Sequence, residues 1–354
     1  MKSLLYSNGF IDAVVDIYDD DVAFHVSNYL LPEEKETGNL VKYRVKAILE
    51  EKENIYDGEN EKVEDIKGEY GESIVVFIVG DKKYYYNEDN KTTFYWEDDL
   101  TLIIYNLDKK GLFIDTYRAI RQIMIGDLLN RGGIIIHSSS VFIGNKGYLF
   151  VGSKRAGKTT SLFQYLNDER TDICYGSNER TVLVIKNGKI FMYGWPGTAF
   201  VGVGTIKSTV GLNALYDVHK RAGETATWLS LHELTDNGYI DELIGMEDEA
   251  YNIQKKIWLT TNEIAFLTGK KIKNYGYLDK VIWPQLMVGA AQSIKKVQKS
   301  LKNDVITDID FFGNWLGIRN EDIEEDKTIA ANLAKVPQYE IIGGNLVSRI
   351  DEMQ

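Results

Sequence analysis

One stretch of the sequence decides the fold: Gly147-Tyr-Leu-Phe-Val-Gly152-Ser-Lys-Arg-Ala-Gly157-Lys158-Thr159-Thr160. A short apolar run leads directly into the pattern G-x-x-x-x-G-K-T, and a helix-compatible segment continues to Leu166. A strand, a loop bounded by glycines and a following helix form the context in which this pattern is a P-loop. The sequence therefore predicts a site that binds the phosphates of a nucleotide.

Each part of the predicted loop has a chemical role. Its two glycines allow backbone angles that turn successive N–H groups towards phosphate oxygens. The helix that follows directs the positive end of its dipole at the same oxygens. The lysine is expected to contact the β- and γ-phosphates, and the first threonine to hold Mg²⁺. The predicted nucleotide-binding residues are Gly152, Ser153, Lys154, Arg155, Ala156, Gly157, Lys158, Thr159 and Thr160.

Length and composition narrow the class of protein. The 354 residues are enough for two domains, and 44% hydrophobic with 27% charged residues is ordinary for a globular protein. A net charge of -12 argues against general nucleic-acid binding, which needs a basic surface. No run approaches the ~20 apolar residues of a membrane helix, and the first residues do not resemble a signal peptide. With Cys174 as the single cysteine, we expect a cytoplasmic protein without membrane contact.

The N-terminal third is predicted to be rich in β-strands. Short apolar or β-branched runs, including Val22–Val26, alternate there with polar turns. A polar turn at residues 106–111 marks the expected boundary. Residues 1–110 are therefore predicted to form a mostly antiparallel β domain, in which we see no chemical motif and to which we assign substrate or partner recognition.

The remaining residues, 111–354, are predicted to form an α/β domain that carries the P-loop. Apolar positions at helical spacing predict a helix that is capped by Asp115 or Thr116 and runs to about Asn130. Another helix is expected over Ala290–Leu301.

Two segments around the P-loop resemble a known family. Upstream of the loop, before a tight hairpin through Gly144 and Gly147, a strand ends in His137-Ser138-Ser139-Ser140-Val141; one strand after the loop helix comes Gly176-Ser177-Asn178-Glu179-Arg180. With weaker matches at Val281-Ile-Trp-Pro284 and Val336-Pro337, this order resembles the catalytic domain of HPr kinase/phosphorylase, a P-loop kinase related to phosphoenolpyruvate carboxykinase. The resemblance spans roughly residues 115–350. It implies an α/β domain of that type, which transfers the γ-phosphate of ATP, with Mg²⁺, to a hydroxyl, preferably Ser or Thr of a protein or peptide.

The sequence departs from the family at the catalytic acid. The family usually has two adjacent aspartates after the P-loop helix, the first of which is thought to accept the substrate proton and to help place the metal. Asn178 occupies the nearest position and cannot accept a proton, whereas Glu179 can, so Glu179 is the candidate base and metal partner. The alternative is a surface acid at a turn with Asn178 as its cap.

Three other residues have two interpretations each. His137 is either a core histidine or a group that contacts the γ-phosphate. Arg155 and Arg180 either stabilise transferred charge or are solvated.

Three functions stay open at this point. The first is a kinase that acts on a hydroxyl of a protein, a peptide or a small molecule. The second is a nucleotide-binding regulatory module with weak or no catalysis, marked by Asn178. The third is an ATPase or GTPase switch, which is disfavoured because neither an Asn-Lys-x-Asp signature nor a clear Walker B strand is present. HPr kinases form hexamers, and the sequence leaves homo-oligomerisation and the identity of the donor nucleotide open.

Overall fold

The fold is taken from a computed structural model, in which the chain divides into two compact units. Unit 1 comprises Met1–Asn130 and Asp308–Glu324, and unit 2 comprises Arg131–Thr307 and Glu325–Gln354. Both contain helices and a large sheet, so the architecture is mixed α/β with more strands than helices among the described elements. The structure describes residues 1–34, 38–50, 62–68, 71–195, 197–220, 237–245, 255–286, 293–300, 306 and 313–343.

Unit 1 is built on an eight-stranded sheet. Its strands are β1 Lys2–Ser7, β2 Ile11–Ile17, β3 Leu40–Ile48, β4 Lys62–Lys67, β5 Ser73–Val79, β6 Lys82–Asn87, β7 Thr92–Asp98 and β8 Thr101–Tyr105, in the order β1-β2-β3-β8-β7-β6-β5-β4. Five neighbouring pairs are antiparallel, but β2–β3 and β3–β8 are parallel. The sheet is thus mixed, because a helical crossover joins β2 to β3.

That crossover is helix α1, Asp20–Leu30, and it corrects the strand predicted over Val22–Val26. Asp19 caps the helix, since its side chain accepts a hydrogen bond from the Val22 backbone N–H at 3.0 Å. Acidic residues in the first turn are favourable at the positive end of the helix. An apolar run this short fits both the helical and the strand spacing of apolar residues. Here the Asp19 cap and the burial of one helix face favour the helix.

Helix α2, Lys109–Leu129, begins earlier than predicted. Asp108 is its cap, and its carboxylate accepts a hydrogen bond from the Gly111 N–H at 2.6 Å. Asp115 and Thr116, the predicted caps, lie buried inside the helix. The whole helix belongs to unit 1, so the division between the units falls after residue 130, which differs from the boundary predicted at residue 110.

Unit 2 contains the remaining elements. Its strands are β9 Ile134–Ile143, β10 Lys146–Val151, β11 Ile173–Ser177, β12 Arg180–Lys186, β13 Lys189–Gly194, β14 Ala199–Gly202, β15 Lys256–Leu259, β16 Lys271–Ile272, β17 Tyr275–Gln285, β18 Ser293–Val297 and β19 Gln338–Ile342. Its helices are α3 Lys158–Leu166, α4 Val203–Thr209, α5 Ala214–Lys220, α6 Asn237–Gly245, α7 Thr261–Thr268 and α8 Thr328–Leu333.

Hydrogen bonds close five strands of unit 2 into a ring. β9 pairs with β10 and β12, β12 pairs with β13, β13 with β17, and β17 with β10. β11 and β16 extend the sheet from β9, while β19 and β18 extend it from β17. All five ring strands contribute to one buried apolar cluster, which includes Ile136, Leu149, Leu183, Met192 and Val281. A second cluster packs α3 against the sheet through Val141, Phe150, Leu162, Phe163 and Leu166.

The late helix predicted over Ala290–Leu301 is wrong where the structure describes it. Ser293–Val297 is strand β18, which pairs antiparallel with β19; residues 290–292 and 301 lie outside the described residues. The partner strand is distant in sequence, and such pairing overrides local helical spacing. In the part of the chain that the structure describes, no helix has both the length and the apolar composition that a membrane span needs.

Candidate functional site

Residues 152–157 form a loop that joins the end of β10 to the start of α3, as the sequence predicts. Gly157 is the residue before the helix and has φ 104°, which L-residues with a side chain rarely adopt. A Cβ atom there would lie 2.6 Å from the Cγ of Leu286. Arg155 has φ 70°, unusual for a residue other than glycine. The loop backbone is therefore held in a conformation that only particular residues allow.

Lys158 is the first residue of α3, and its side chain turns back onto the loop. Its ammonium donates hydrogen bonds to the backbone oxygens of Gly152 at 2.8 Å and Ser153 at 3.2 Å. The residue is only 9% exposed. The positive charge of Lys158 is thus held at the loop, next to the N-terminal end of α3.

The two threonines of the motif differ in their contacts. The Thr160 hydroxyl shares a hydrogen bond with the Thr205 hydroxyl at 2.9 Å. The hydroxyl of the half-buried Thr159 makes no such hydrogen bond with any of the described residues. Thr159 is therefore the hydroxyl that can serve as a ligand.

His137 lies beside the loop because of the register of β9. Ser138 pairs with Val151 on β10, so His137 is level with Gly152; on the other edge of β9, it pairs with Arg180. Burial, together with the nearby charges of three cations, lowers the pKa of His137 from its ordinary 6.5 to about 4, and a hydrogen bond to the backbone of Glu179 opposes this shift. The imidazole is accordingly neutral at physiological pH. The three cations are Lys158, Arg180 and Lys256.

Glu179 lies in the short connection between β11 and β12. Its backbone oxygen accepts a hydrogen bond from the Ser138 N–H at 3.1 Å, which fixes the connection against β9. Burial raises the pKa of the Glu179 carboxyl, and the charges of Lys256, Arg180 and Lys158 oppose this rise. Glu179 is therefore a half-buried acid in the field of the loop lysine, which argues against a freely solvated surface acid.

Asn178 has a positioning role in this arrangement. It is 4% exposed, and its Oδ1 accepts a hydrogen bond from the Ser139 hydroxyl at 2.9 Å. Its Nδ2 donates to the backbone oxygen of Phe200 at 3.5 Å. The side chain thus connects β9 to β14, whereas the sequence suggested that Asn178 either occupies the position of the family's catalytic aspartate or caps a turn.

Two further cations complete the cluster. The Arg180 guanidinium lies 5.3 Å from the centre of the Trp195 ring, which limits its orientation. Lys256 on β15 was not predicted, although its charge acts on both His137 and Glu179. No motif surrounds Lys256; pairing of β15 with β14 brings it near Asn178, and its ammonium lies 5.8 Å from the Phe200 ring centre. By contrast, Arg155 is an exposed residue of the loop.

The candidate metal ligands suit a Mg²⁺ ion that is bound together with nucleotide phosphates. A search of the described residues finds no group of three or more His, Cys, Asp or Glu side chains that could hold a metal. The Thr159 hydroxyl and the Glu179 carboxylate are the hard oxygen ligands that Mg²⁺ prefers. Mg²⁺ commonly binds through one or two protein ligands together with substrate phosphates and water. The set therefore suits an ion that arrives with a nucleotide.

The protonation of His137 can be measured directly. We expect its imidazole to titrate near pH 4 by NMR, with the signal assigned by its loss in His137→Gln. Because the folded pKa lies below the unfolded value of 6.5, the stability due to neutral His137 is present above pH 6.5 and is lost as the pH falls towards 4. His137→Gln should flatten that part of the stability profile. A midpoint near 6.5 would contradict the placement of His137 among cations.

A comparison with known protein families and a search of curated proteins find no match for this chain. The likeness to HPr kinase thus stays a resemblance that is carried by the motifs around residues 137, 152–160 and 176–180. This resemblance and the geometry of these residues together are the basis for assigning a function.

Proposed function

We propose that the chain is an ATP- and Mg²⁺-dependent kinase, which transfers the γ-phosphate to a hydroxyl, preferably Ser or Thr of a protein or peptide. One observation carries the proposal: a neutral histidine, a carboxyl with a raised pKa and three cations lie close together at the start of the helix that follows a P-loop sequence. These residues are His137, Glu179, Lys158, Arg180 and Lys256. The strand-loop-helix order beside β9 supports a domain of the HPr kinase and phosphoenolpyruvate carboxykinase type.

The loop and α3 account for donor binding in this proposal. Backbone N–H groups of residues 152–157 and the N-terminal end of α3 bind the phosphate oxygens. Lys158, already positioned by two loop carbonyls, neutralises the β- and γ-phosphates. Thr159 and Glu179 would hold Mg²⁺, which when bound neutralises charge on the β- and γ-phosphates.

Glu179 is the proposed general base. Its carboxylate takes the proton of the acceptor hydroxyl as the hydroxyl oxygen forms a bond to the γ-phosphorus; the bond from that phosphorus to the bridging oxygen breaks and ADP leaves. A carboxyl whose pKa is raised by burial accepts a proton more readily than a solvated one. Arg180 and Lys256 stabilise charge on the transferred group. The single N–H of neutral His137 is used in its hydrogen bond to the Glu179 backbone, so its other ring nitrogen can accept a hydrogen bond from a protonated phosphate or from water.

A nucleotide-binding module without rapid catalysis is the second candidate. The engaged amide of Asn178 favours it, because this side chain holds two strands together and cannot replace the family's aspartate as a base. The two candidates therefore differ in whether Glu179 takes the proton.

We assign unit 1 to recognition of the acceptor or of a partner protein. None of the residues proposed above for phosphate binding and transfer lies in unit 1, since they all fall within residues 137–256.

The test follows nucleotide from binding to turnover. Calorimetry measures Mg-ATP binding, and radiolabelled ATP is followed with and without acceptors, namely Ser-, Thr- and Tyr-containing peptide libraries and small hydroxyl compounds. Transfer to an acceptor supports the kinase. Binding without transfer or hydrolysis supports the module, phosphate release that needs no acceptor supports a switch, and absence of binding overturns all three.

The two threonines provide a matched test of the metal assignment. Thr159→Ala should weaken ATP binding with Mg²⁺ by about tenfold and without Mg²⁺ much less, because only the first condition uses the hydroxyl as a ligand. Thr159→Ser should restore binding. Thr160→Ala, which loses the hydrogen bond to Thr205, should affect both conditions equally. Equal losses for Thr159→Ala in both conditions would refute the assignment.

A further inference from the structure

A cavity of about 730 Å³ borders the phosphate-binding loop. One wall is the loop itself, Val151–Ala156. The others are the end of β17 with the residue after it, Trp283–Leu286, and the segment Gln298–Ser300 that follows β18. This volume is in the range of cavities that bind small organic ligands.

The cavity and the acid-base cluster lie towards different edges of β10. β17 runs parallel to β10, with Phe150 opposite Ile282, so the end of β17 arrives beside the loop. β9 occupies the other edge of β10 and leads to His137. A ligand whose phosphates lie on the loop can thus extend into the cavity at one end and reach Glu179 at the other.

The wall formed by Trp283 is held in place by its neighbours. The indole Nε1 donates a hydrogen bond to the Gln338 side-chain oxygen at 3.0 Å, and that oxygen also accepts one from the Lys299 N–H at 3.2 Å. The Lys299 ammonium lies 5.4 Å from the centre of the indole ring and pairs with Glu340 at 2.5 Å. The ring is only 9% exposed. The wall is therefore preformed rather than assembled by a ligand.

Beside the basic residues Lys154, Arg155 and Lys299, the lining contains apolar and amide groups. Trp283, Pro284 and Leu286 provide the apolar part. Gln285 donates through Nε2 to Glu340 at 2.9 Å, and Gln298 donates through Nε2 to the Ala334 backbone oxygen at 2.7 Å. Each amide oxygen then remains as the group that accepts. This combination suits a flat, uncharged heteroaromatic ring with amino or N–H donors at its edge.

We propose that this cavity binds the purine nucleoside of the donor nucleotide. The inference rests on the proposed function, because it places the donor phosphates on the loop. The γ-phosphate then points to the edge at which His137 and Glu179 lie, and the acceptor enters from that side. A fixed apolar wall and amide acceptors favour purine over pyrimidine, since the larger ring covers more of the wall.

Binding measurements separate the nucleoside from the phosphates. Calorimetry is carried out with Mg-ATP, Mg-GTP, Mg-CTP and Mg-tripolyphosphate on the full chain. We expect Mg-ATP and Mg-GTP to bind at least about tenfold more tightly than Mg-tripolyphosphate. Mg-CTP should bind more weakly than both purine nucleotides. Ser300→Trp, at an exposed lining position, should abolish the advantage of ATP and leave tripolyphosphate unchanged. Lys296→Trp, at an exposed position of β18 outside the lining, is the matched control and should change neither.

Each outcome decides a separate claim. Failure of both ATP and tripolyphosphate to bind overturns the proposed function. Equal affinity for ATP and tripolyphosphate overturns the cavity inference alone, and equal affinity for CTP and ATP overturns the purine assignment. Photolabelling of the unmodified chain with 2-azido-ATP keeps the test independent of how Ser300→Trp folds: label within residues 283–286 or 298–300 supports the inference, and label confined to other segments refutes it.

Discussion

Glu179→Gln is expected to slow phosphoryl transfer by a factor of about 10²–10⁴, the usual loss when a general base is removed. The amide keeps the size of the side chain, and the backbone bond to Ser138 is untouched, so the connection between β11 and β12 should persist. Mg-ATP binding should change little, because the glutamine side-chain oxygen can still serve as a ligand and the loop contacts to the phosphates are unchanged. The measurement is single-turnover transfer at saturating Mg-ATP beside calorimetric binding.

Controls distinguish the base from other roles of this segment. Glu169→Gln changes an exposed acid in unit 2 and should transfer phosphate at the normal rate. Asn178→Ala should lower stability through the lost bonds to Ser139 and Phe200. Full activity of Glu179→Gln would exclude the base assignment. A loss confined to Mg-dependent binding would leave Glu179 with the metal-ligand role alone.

Lys158→Met should reduce transfer by at least about 10²-fold, the order seen when one preorganised charge-stabilising donor is removed. Methionine keeps an unbranched apolar stem in a position that is only 9% exposed, whereas the ammonium and its bonds to Gly152 and Ser153 are lost. Mg-ATP affinity should fall as well, because the same charge acts on the bound phosphates. Transfer rates and calorimetric affinities together measure both effects.

Circular dichroism and thermal unfolding check that Lys158→Met remains folded. Lys189→Ala, at an exposed position on β13, removes a lysine charge of unit 2 away from the loop and should behave as the unmodified chain. Normal transfer by folded Lys158→Met would end the P-loop kinase proposal. An effect of the same size in Lys189→Ala would attribute the loss to net charge.

Local chemistry made part of this structure predictable. The strand, loop and helix around Gly157 were predictable from the apolar run before the loop and from the backbone angles that glycine allows. Both features lie within a few residues of the sequence. His137 and Glu179 were predicted as candidates through the resemblance, and the structure brings both into the field of Lys158.

The missed features depend on partners that are distant in sequence. Lys256 reaches the site only because β15 pairs with β14, and β18 is a strand only because β19 lies beside it. Asn178 connects strands that no local pattern relates. The error over Val22–Val26 has a different cause. A short apolar run fits both a strand and a helix, and only the Asp19 cap indicates the helix.

The discontinuity of unit 1 has a consequence for biosynthesis. Trp315 packs edge-on against Phe94 with ring centres 4.9 Å apart, and Asn130 donates a hydrogen bond to the backbone oxygen of Ile318 at 2.8 Å. Both late residues leave the ribosome roughly 190 residues after the first part of unit 1 ends, which at about 5–20 residues per second is a delay of about 10–40 s. The nascent N-terminal sheet therefore lacks the contact between Phe94 and Trp315 until most of unit 2 has been made, an interval in which exposed apolar surface can associate with other chains.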